Sequence, residues 1–120
     1  PHHILSSYYR SSDVVIVPSR SESFGLVALE SMACGIPVVA SAVGGLQSLV
    51  DDGVTGRLIT GRRPADFAVA IDEILGDVDL RTSMSTASVA KAQRYTWAAA
   101  AEQLEALYAE LTRVDMVLCA

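Results

Sequence analysis

Two short apolar runs set the strongest limit on how this chain folds. Val14–Val17 is rich in β-branched residues and ends at Pro18, and Pro37–Ala40 is apolar without interruption. A strand that is apolar at every position is buried on both faces, which is typical of parallel sheets. The segment 24–34 between them has helical character and is followed by Gly35, a residue favoured just after helix ends. The pattern predicts a strand–helix–strand unit with parallel strands.

Further elements continue this alternation and then give way to helices. A short helix at 46–50 precedes a third strand at 56–60, and Pro64 is well placed to begin a helix. The other predicted helices cover 4–12, 80–95 and 97–112, the last capped by Thr96. This order predicts an α/β fold, a partial Rossmann-like parallel sheet followed by C-terminal helices.

Three strands are few for a doubly wound sheet, and the chain starts with a helix where a first strand is expected. We therefore interpret it as a fragment of a larger domain. Such a sheet exposes an apolar edge, and the alanine-rich helix 97–112 offers a second surface, so self-association through the edge or the helices is expected. Trp97 is expected to anchor this helix to the sheet. No structure is predicted for residues 113–120.

The charge balance excludes several classes of function. The 120 residues carry 9 basic and 14 acidic side chains, a net charge of −5, so no nucleic-acid partner is predicted. Cys34 and Cys119 form no disulfide framework or metal-binding pattern, and no metal site is predicted. Residues 31–50 are uncharged, but glycines and Pro37 divide them into pieces too short to span a membrane. Without a signal-peptide pattern, a cytoplasmic location with no stable membrane insertion is expected.

Glu30 is the only charged residue between Ser23 and Val50, and its helical neighbours are apolar. Burying a carboxylate in such surroundings is costly unless a partner hydrogen-bonds to it. Two interpretations stay open. Either Glu30 points to solvent beside Ser31, or it is buried against a hydrogen-bonding partner.

Glu22 lies in the loop after the first predicted strand, just before the helix. Open α/β sheets bind ligands at the carboxyl ends of their strands. Gly25 lets a ligand approach the main chain, and the free N–H groups of a helix start favour an anion. Glu22 is equally explained as a favourable charge at the positive end of the helix. Because Glu30 lies ~8 Å along the axis from the helix start, the two carboxylates can bracket a ligand that has hydroxyls at both ends and phosphate between them.

The segment 18–40, PSRSESFGLVALESMACGIPVVA, strongly resembles the E-x7-E segment of the family 4 (group 1) retaining glycosyltransferases of GT-B fold. Glu22 and Glu30 match its two glutamates. Val43-Gly44-Gly45 and the stretch 52–56 resemble the two glycine turns that follow in that family. The motifs in this order are far more specific than two glutamates alone. They identify the chain as the C-terminal part of a nucleotide-sugar-binding domain.

The resemblance implies a role for each matching residue. Glu22 would contact and orient the donor sugar as the catalytic residue, and Glu30 would accept hydrogen bonds from the ribose hydroxyls. The implied donor is a nucleoside-diphosphate hexose, and such enzymes need no bound metal or other cofactor. The rest of the implied substrate-binding site, near sugar and phosphate, is Ser23, Phe24, Gly25 and Leu26.

Parts of that family's active site have no match in this sequence. The basic diphosphate clamp and the active-site histidine lie upstream in the family; no Arg-x4-Lys pattern occurs here, and His2 and His3 do not match that histidine. The resemblance therefore implies that residues 1–112 are a C-terminal donor-binding half-domain and 113–120 a tail. The parent would be a retaining hexosyltransferase, and this chain alone would be inactive. The alternatives are a non-catalytic nucleotide-sugar-binding module and a helix-mediated interaction module.

Overall fold

The computed structural model describes the main chain of residues 2–118 and the side chains of residues 4–112. Strands and helices alternate through the first half of the chain, and the second half is helical. The elements are α1 (His2–Arg10), β1 (Val15–Val17), α2 (Leu26–Ala33), β2 (Val38–Ser41), α3 (Leu46–Leu49), β3 (Gly56–Ile59), α4 (Pro64–Gly76), α5 (Val78–Ala92) and α6 (Trp97–Leu118). This is the predicted α/β fold, a partial Rossmann-like sheet followed by helices.

The three strands form one parallel sheet in the order β1–β2–β3. Val15 pairs with Val38, and Val38 pairs in turn with Gly56 on its other side. Every residue of β2 is buried, because this central strand has a strand on each side and helices over both faces. All three predicted strands are therefore confirmed, each to within one residue at its ends.

Helices on both faces divide the core in two. On one face, Val38 and Ala40 of β2 pack with α2 and α3 around the fully buried Met32. On the other face, Val39 packs with Ile74 of α4. Successive side chains of a strand point to opposite faces, so a continuous apolar run supplies both halves of the core.

α5 contributes to both halves. Met84 is buried in the cluster formed with α4, whereas Ala92, at the end of α5, is buried in the cluster formed with α2. Between them in sequence, buried Ser88 donates a hydrogen bond to the carbonyl oxygen of Thr55 at 3.0 Å. This helix therefore joins the two helical layers to the segment that enters β3.

The predicted helix-end signals are confirmed. Gly35 follows α2 with a φ of 78°, the left-handed conformation favoured after a helix. Pro64 is the first residue of α4. The Thr96 hydroxyl caps α6, where it accepts a hydrogen bond from the Ala99 N–H at 3.0 Å.

Some helix limits differ from the predictions. α2 begins at Leu26 rather than residue 24, because Gly25 has a φ of 102°, outside the helical range. α6 continues past the predicted end at 112, since neither glycine nor proline interrupts it. The predicted tail 113–120 thus starts inside α6, and residues 119 and 120 lie outside the described part.

The prediction that Trp97 anchors α6 to the sheet is wrong. Its side chain is 93 % exposed in the first turn of α6. The helix also exposes about half of each large apolar side chain along one stripe, which comprises Leu104, Leu107, Tyr108 and Leu111. An aromatic residue after a capping threonine indicates a helix start, but not which surface the helix covers.

β1 is an edge strand of the sheet in the described part of the chain. α4 contacts β2 and β3, and Ile16 of β1 remains 46 % exposed. An open groove of about 360 Å³ lies over Ile16, with Pro18 and Phe67 among its walls. The groove therefore exposes mainly apolar side chains beside the edge strand, together with Arg62.

Candidate functional site

Three loops lie at the carboxyl edge of the sheet, where ligands bind in open α/β folds. They cover residues 18–25 after β1, 42–45 after β2 and 60–63 after β3. The Ala42 N–H donates to the Ile59 carbonyl oxygen at 2.9 Å, so the second and third loops leave the sheet side by side.

A hydrogen bond between main-chain atoms joins the first two loops. The Gly45 N–H donates to the Glu22 carbonyl oxygen at 2.9 Å. A Cβ added to Gly44, where φ is 48°, would lie 1.9 Å from that oxygen, and one added to Gly45 would lie 2.5 Å from the Cα of Phe24. Real Cβ atoms do not approach other atoms so closely, so neither position accommodates a side chain. The glycine pair therefore fixes the loop that carries Glu22.

The start of α2 presents main-chain donors at the same edge. Gly25 is buried in the left-handed conformation, and its carbonyl oxygen accepts from the Leu29 N–H at 3.0 Å. The N–H groups of Leu26, Val27 and Ala28 come before this first helical bond and carry the positive end of the helix dipole. A helix start of this kind attracts an anion such as phosphate.

Glu22 is half-buried beside these donors. Its main-chain oxygen is held by Gly45, whereas its carboxylate is available to a ligand. Among the described side chains, the carboxylates that accept hydrogen bonds belong to other residues, namely Glu30, Asp51, Asp52, Asp66, Glu73 and Asp77. Glu22 therefore combines a fixed main chain with an uncommitted carboxylate.

Glu30 has a partner that the sequence did not indicate. The Tyr9 hydroxyl of α1 donates to Glu30 Oε2 at 2.8 Å, and both side chains are half-buried. Of the two open interpretations, the structure therefore favours a carboxylate bound by a partner. Tyr9 and Glu30 are 21 residues apart, and the packing of α1 on α2 brings them together.

The environment of Tyr9 favours its neutral form. Burial raises the pKa of Tyr9 to about 12, and the hydrogen bond to Glu30 and the negative charge of that carboxylate add to the effect. The phenol therefore remains a hydrogen-bond donor to Glu30 throughout the neutral pH range.

The structure brings most of the predicted site residues to one place. Glu22, Ser23, Phe24 and Gly25 form the loop at the carboxyl edge, and Leu26 starts α2. Glu30 lies further along α2, ~6 Å along the axis from its start at Leu26. The arrangement offers N–H donors for an anion and, on either side of them, carboxylate acceptors for hydroxyl groups.

An apolar patch borders this edge. Phe24 is 40 % exposed and Leu26 64 % exposed. The Phe24 ring makes an edge-to-face contact with Tyr95, with ring centroids 5.8 Å apart. Sequence reasoning missed Tyr95, which follows α5 and which only the tertiary fold brings to the first loop.

No cluster of three or more histidine, cysteine or acidic side chains suited to a metal ion occurs among the described residues. The groove over Ile16 is lined by none of the predicted ligand residues. Within residues 2–118, no helix combines the length and the apolar composition needed to cross a bilayer.

The sequence is similar to that of longer proteins. It is 48 % identical over 119 residues to a D-inositol 3-phosphate glycosyltransferase from Corynebacterium diphtheriae, a match that covers 99 % of this chain and 28 % of that protein. It is 50 % identical over 112 residues to the protein of that name from Kribbella flavida, covering 93 % of this chain and 26 % of that protein. The chain thus spans less than a third of the length of these relatives.

Solved structures share the fold. Sucrose-phosphate synthase from Thermosynechococcus elongatus superposes with a TM-score of 0.83 at 41 % identity, over 94 % of this chain and 29 % of that one. Anabaena HepE, in a structure with UDP, superposes with a TM-score of 0.79 at 30 % identity, over 86 % of this chain and 29 % of that one. HepE has also been solved with UDP-glucose, with a TM-score of 0.76.

A sequence model of a whole protein family also matches this chain. The model for glycosyl transferases group 1 matches residues 1–91, the range from α1 through most of α5. This range includes the whole sheet, the three loops at its carboxyl edge and both glutamates. The chain belongs to the glycosyl transferases of group 1.

Proposed function

We propose that this chain binds the nucleotide-sugar donor of a retaining hexosyltransferase. In this proposal, residues 1–112 are the C-terminal donor-binding half-domain, and catalysis requires further protein. The proposed donor site consists of Glu22, Ser23, Phe24, Gly25, Leu26 and Glu30, with Glu22 as the catalytic residue.

The observation that carries the proposal is the order of charged and hydrogen-bonding groups at the carboxyl edge of the sheet. An uncommitted carboxylate at Glu22, the free N–H groups at the start of α2 and the carboxylate of Glu30 follow one another along a single loop and helix. A nucleoside-diphosphate sugar presents matching groups in the same order, with sugar hydroxyls, a diphosphate and ribose hydroxyls. The helix dipole favours the diphosphate, and carboxylates accept from hydroxyls.

The comparisons support this class of donor. HepE, 30 % identical to this chain, was crystallised with UDP and, separately, with UDP-glucose. The Corynebacterium relative is named for glycosyl transfer to an inositol phosphate. A uridine nucleotide is therefore the first donor to test, with an inositol phosphate as the acceptor of the longer protein.

Each group then has a defined task in transfer. Glu22 accepts hydrogen bonds from the sugar hydroxyls and orients the anomeric carbon. As the bond from that carbon to the diphosphate breaks, the N–H groups at the α2 start stabilise the charge that develops on the leaving phosphate. The acceptor oxygen forms the new bond to the anomeric carbon, and its proton passes to an oxygen of the departing diphosphate.

Titration of the folded chain with nucleotides tests the proposal. We would follow the amide spectrum by NMR during addition of UDP, ADP, GDP and their glucose conjugates, with Glu30→Ala as the comparison. We expect shifts at residues 22–30 for one base, reduced in the variant. A folded wild-type chain that binds none of these nucleotides at millimolar concentration would overturn the proposal.

One observation favours a second candidate function. The apolar stripe on α6, formed by Leu104, Leu107, Tyr108 and Leu111, is about half exposed along its length. A stripe of this spacing is typical of a helix that packs against another helix. Helix-mediated association is therefore the second candidate, and it is compatible with donor binding at the opposite end of the chain.

A further inference from the structure

We propose that Tyr9 is a positioning residue for the nucleotide, because it holds the Glu30 carboxylate in the orientation that receives the ribose hydroxyls. The inference rests on the proposed function. Tyr9 itself touches no part of the donor in this proposal and acts only through Glu30.

The geometry of the pair carries the inference. The Tyr9 hydroxyl donates to Glu30 Oε2 at 2.8 Å, a normal length for a bond between a hydroxyl and a carboxylate. The two oxygens of a carboxylate have about four acceptor positions in total. Tyr9 uses one of them, so Oε1 and part of Oε2 remain for a ligand with two adjacent hydroxyl groups.

Among the described residues, Tyr9 supplies the one hydrogen bond that the Glu30 carboxylate accepts. Its helical neighbours Leu29, Ser31 and Ala33 present no donor to it, since Ser31 is buried and gives its own hydroxyl proton to the Ile36 carbonyl oxygen at 3.0 Å. A free glutamate loses rotamer entropy when it binds a ligand. A carboxylate that is already ordered avoids most of this loss, which is why preorganisation raises affinity.

α1 is placed well for this task. Cys34 Sγ, at the end of α2, lies 4.0 Å from the Ser6 carbonyl oxygen of α1, so α1 contacts α2 at a second point near the first. Tyr9 is half-buried, whereas its neighbour Tyr8 is 66 % exposed. The two adjacent tyrosines therefore differ in surroundings while sharing one helix, and Tyr8 provides a matched control.

A purely structural role for Tyr9, as a bond that pins α1 to α2, predicts a different result. Loss of that bond would loosen the helix and affect every nucleotide alike, or none. A positioning role affects only ligands whose ribose hydroxyls reach Glu30. The contrast between a nucleotide with these hydroxyls and one without them therefore separates the two roles.

The test is a titration of the whole chain, as wild type, Tyr9→Phe and Tyr8→Phe, with UDP and with 2′,3′-dideoxyuridine 5′-diphosphate. Ordering a free glutamate side chain when a ligand binds costs up to roughly tenfold in affinity. We expect Tyr9→Phe to weaken UDP by about this factor, to leave the dideoxy analogue within twofold, and Tyr8→Phe to change neither. Phenylalanine keeps the aromatic ring, and any folding defect would appear with both ligands.

The other outcomes would contradict either the positioning role of Tyr9 or the proposed function. If Tyr9→Phe binds UDP as the wild type does, or loses both ligands equally, the positioning role is overturned while donor binding stands. If the folded wild-type chain binds neither ligand, the titration is repeated with ADP and GDP and their dideoxy analogues; a chain that binds none of these nucleotides overturns the proposed function, and the role of Tyr9 with it.

Discussion

The carbonyl oxygen of Glu22 accepts a hydrogen bond from the Gly45 N–H at 2.9 Å, and this bond joins the loop after β1 to the loop after β2. It involves main-chain atoms only. The position of Glu22 therefore depends on how closely two stretches of backbone approach each other.

Gly44→Ala tests the close approach. The new Cβ would lie 1.9 Å from the Glu22 carbonyl oxygen, so the loops must separate, and we expect a loss of about 3 kcal/mol in unfolding free energy. Gly61→Ala is the matched control, because Gly61 also has a positive φ, 93°, but has no atom within 4 Å of the new Cβ. That variant should lose only about 1 kcal/mol of backbone strain. Urea unfolding measures both, and equal losses would show that the loop contact is unimportant.

Glu22→Gln tests the role of the carboxylate in sugar binding. A hydrogen bond to a charged group contributes about 1.5–3 kcal/mol, so affinity for UDP-glucose should fall roughly tenfold to a hundredfold. Affinity for UDP, which lacks the transferred glucose, should stay the same. Exposed Glu102→Gln on α6 removes the same charge elsewhere and serves as the control. An equal loss for both ligands, measured by calorimetry, would place Glu22 away from the sugar.

The Tyr9–Glu30 pair predicts a pH dependence at alkaline pH. Burial and the neighbouring carboxylate raise the pKa of Tyr9 to about 12, above its ordinary value of 10. The folded state thus favours the protonated phenol, and the stability this provides is complete below pH 10 and is lost as the pH rises towards 12. Unfolding free energies measured from pH 8 to 11.5 should fall more steeply for the wild type than for Tyr9→Phe. Parallel curves would contradict the raised pKa.

Ser88→Ala tests the contact between α5 and the segment before β3. Its buried hydroxyl donates to the Thr55 carbonyl oxygen at 3.0 Å, and removal leaves that buried acceptor without this donor. The expected cost is about 1–3 kcal/mol in unfolding free energy. Ser83→Ala, at an exposed position of the same helix, controls for the change in helix propensity and should be within about 0.5 kcal/mol of the wild type. Thermal or urea unfolding distinguishes the two.

The exposed apolar surfaces predict self-association. Light scattering of the concentrated chain should give a mass above that of one copy. Ile16→Lys at the sheet edge and Leu111→Lys on α6 identify the surface involved, because a buried lysine opposes the contact. Val69→Lys, at a 69 % exposed position of α4, is the control. A monomer at every concentration would refute this expectation.

Much of the fold follows from local sequence. The strands at Val15–Val17 and Val38–Ser41 can be predicted because β-branched residues favour strands. A run that is apolar at every position is typical of a strand buried on both faces. Gly35 and Pro64 marked helix ends correctly because their backbone preferences act locally. These signals need no knowledge of distant contacts.

The finer geometry of the site depends on tertiary contacts, and local sequence patterns do not predict it. The sequence placed Glu22 and Glu30 on one loop and helix, but it contained no sign that α1 packs on α2 and brings Tyr9 to Glu30. It showed a Gly-Gly turn without showing which atom excludes a side chain there. Trp97 was assigned to the core because large aromatic residues are usually buried, yet which surface a helix covers is decided by its neighbours.

α5 gives this small sheet a property that three strands alone would not have. Met84 belongs to one half of the core and Ala92 to the other, on a single continuous helix. Neither helical layer can separate from the sheet without disturbing the other. The region from β1 to α5 should consequently melt as one cooperative unit, with slow amide exchange shared across both layers, and the donor edge should stay ordered until the whole unit unfolds.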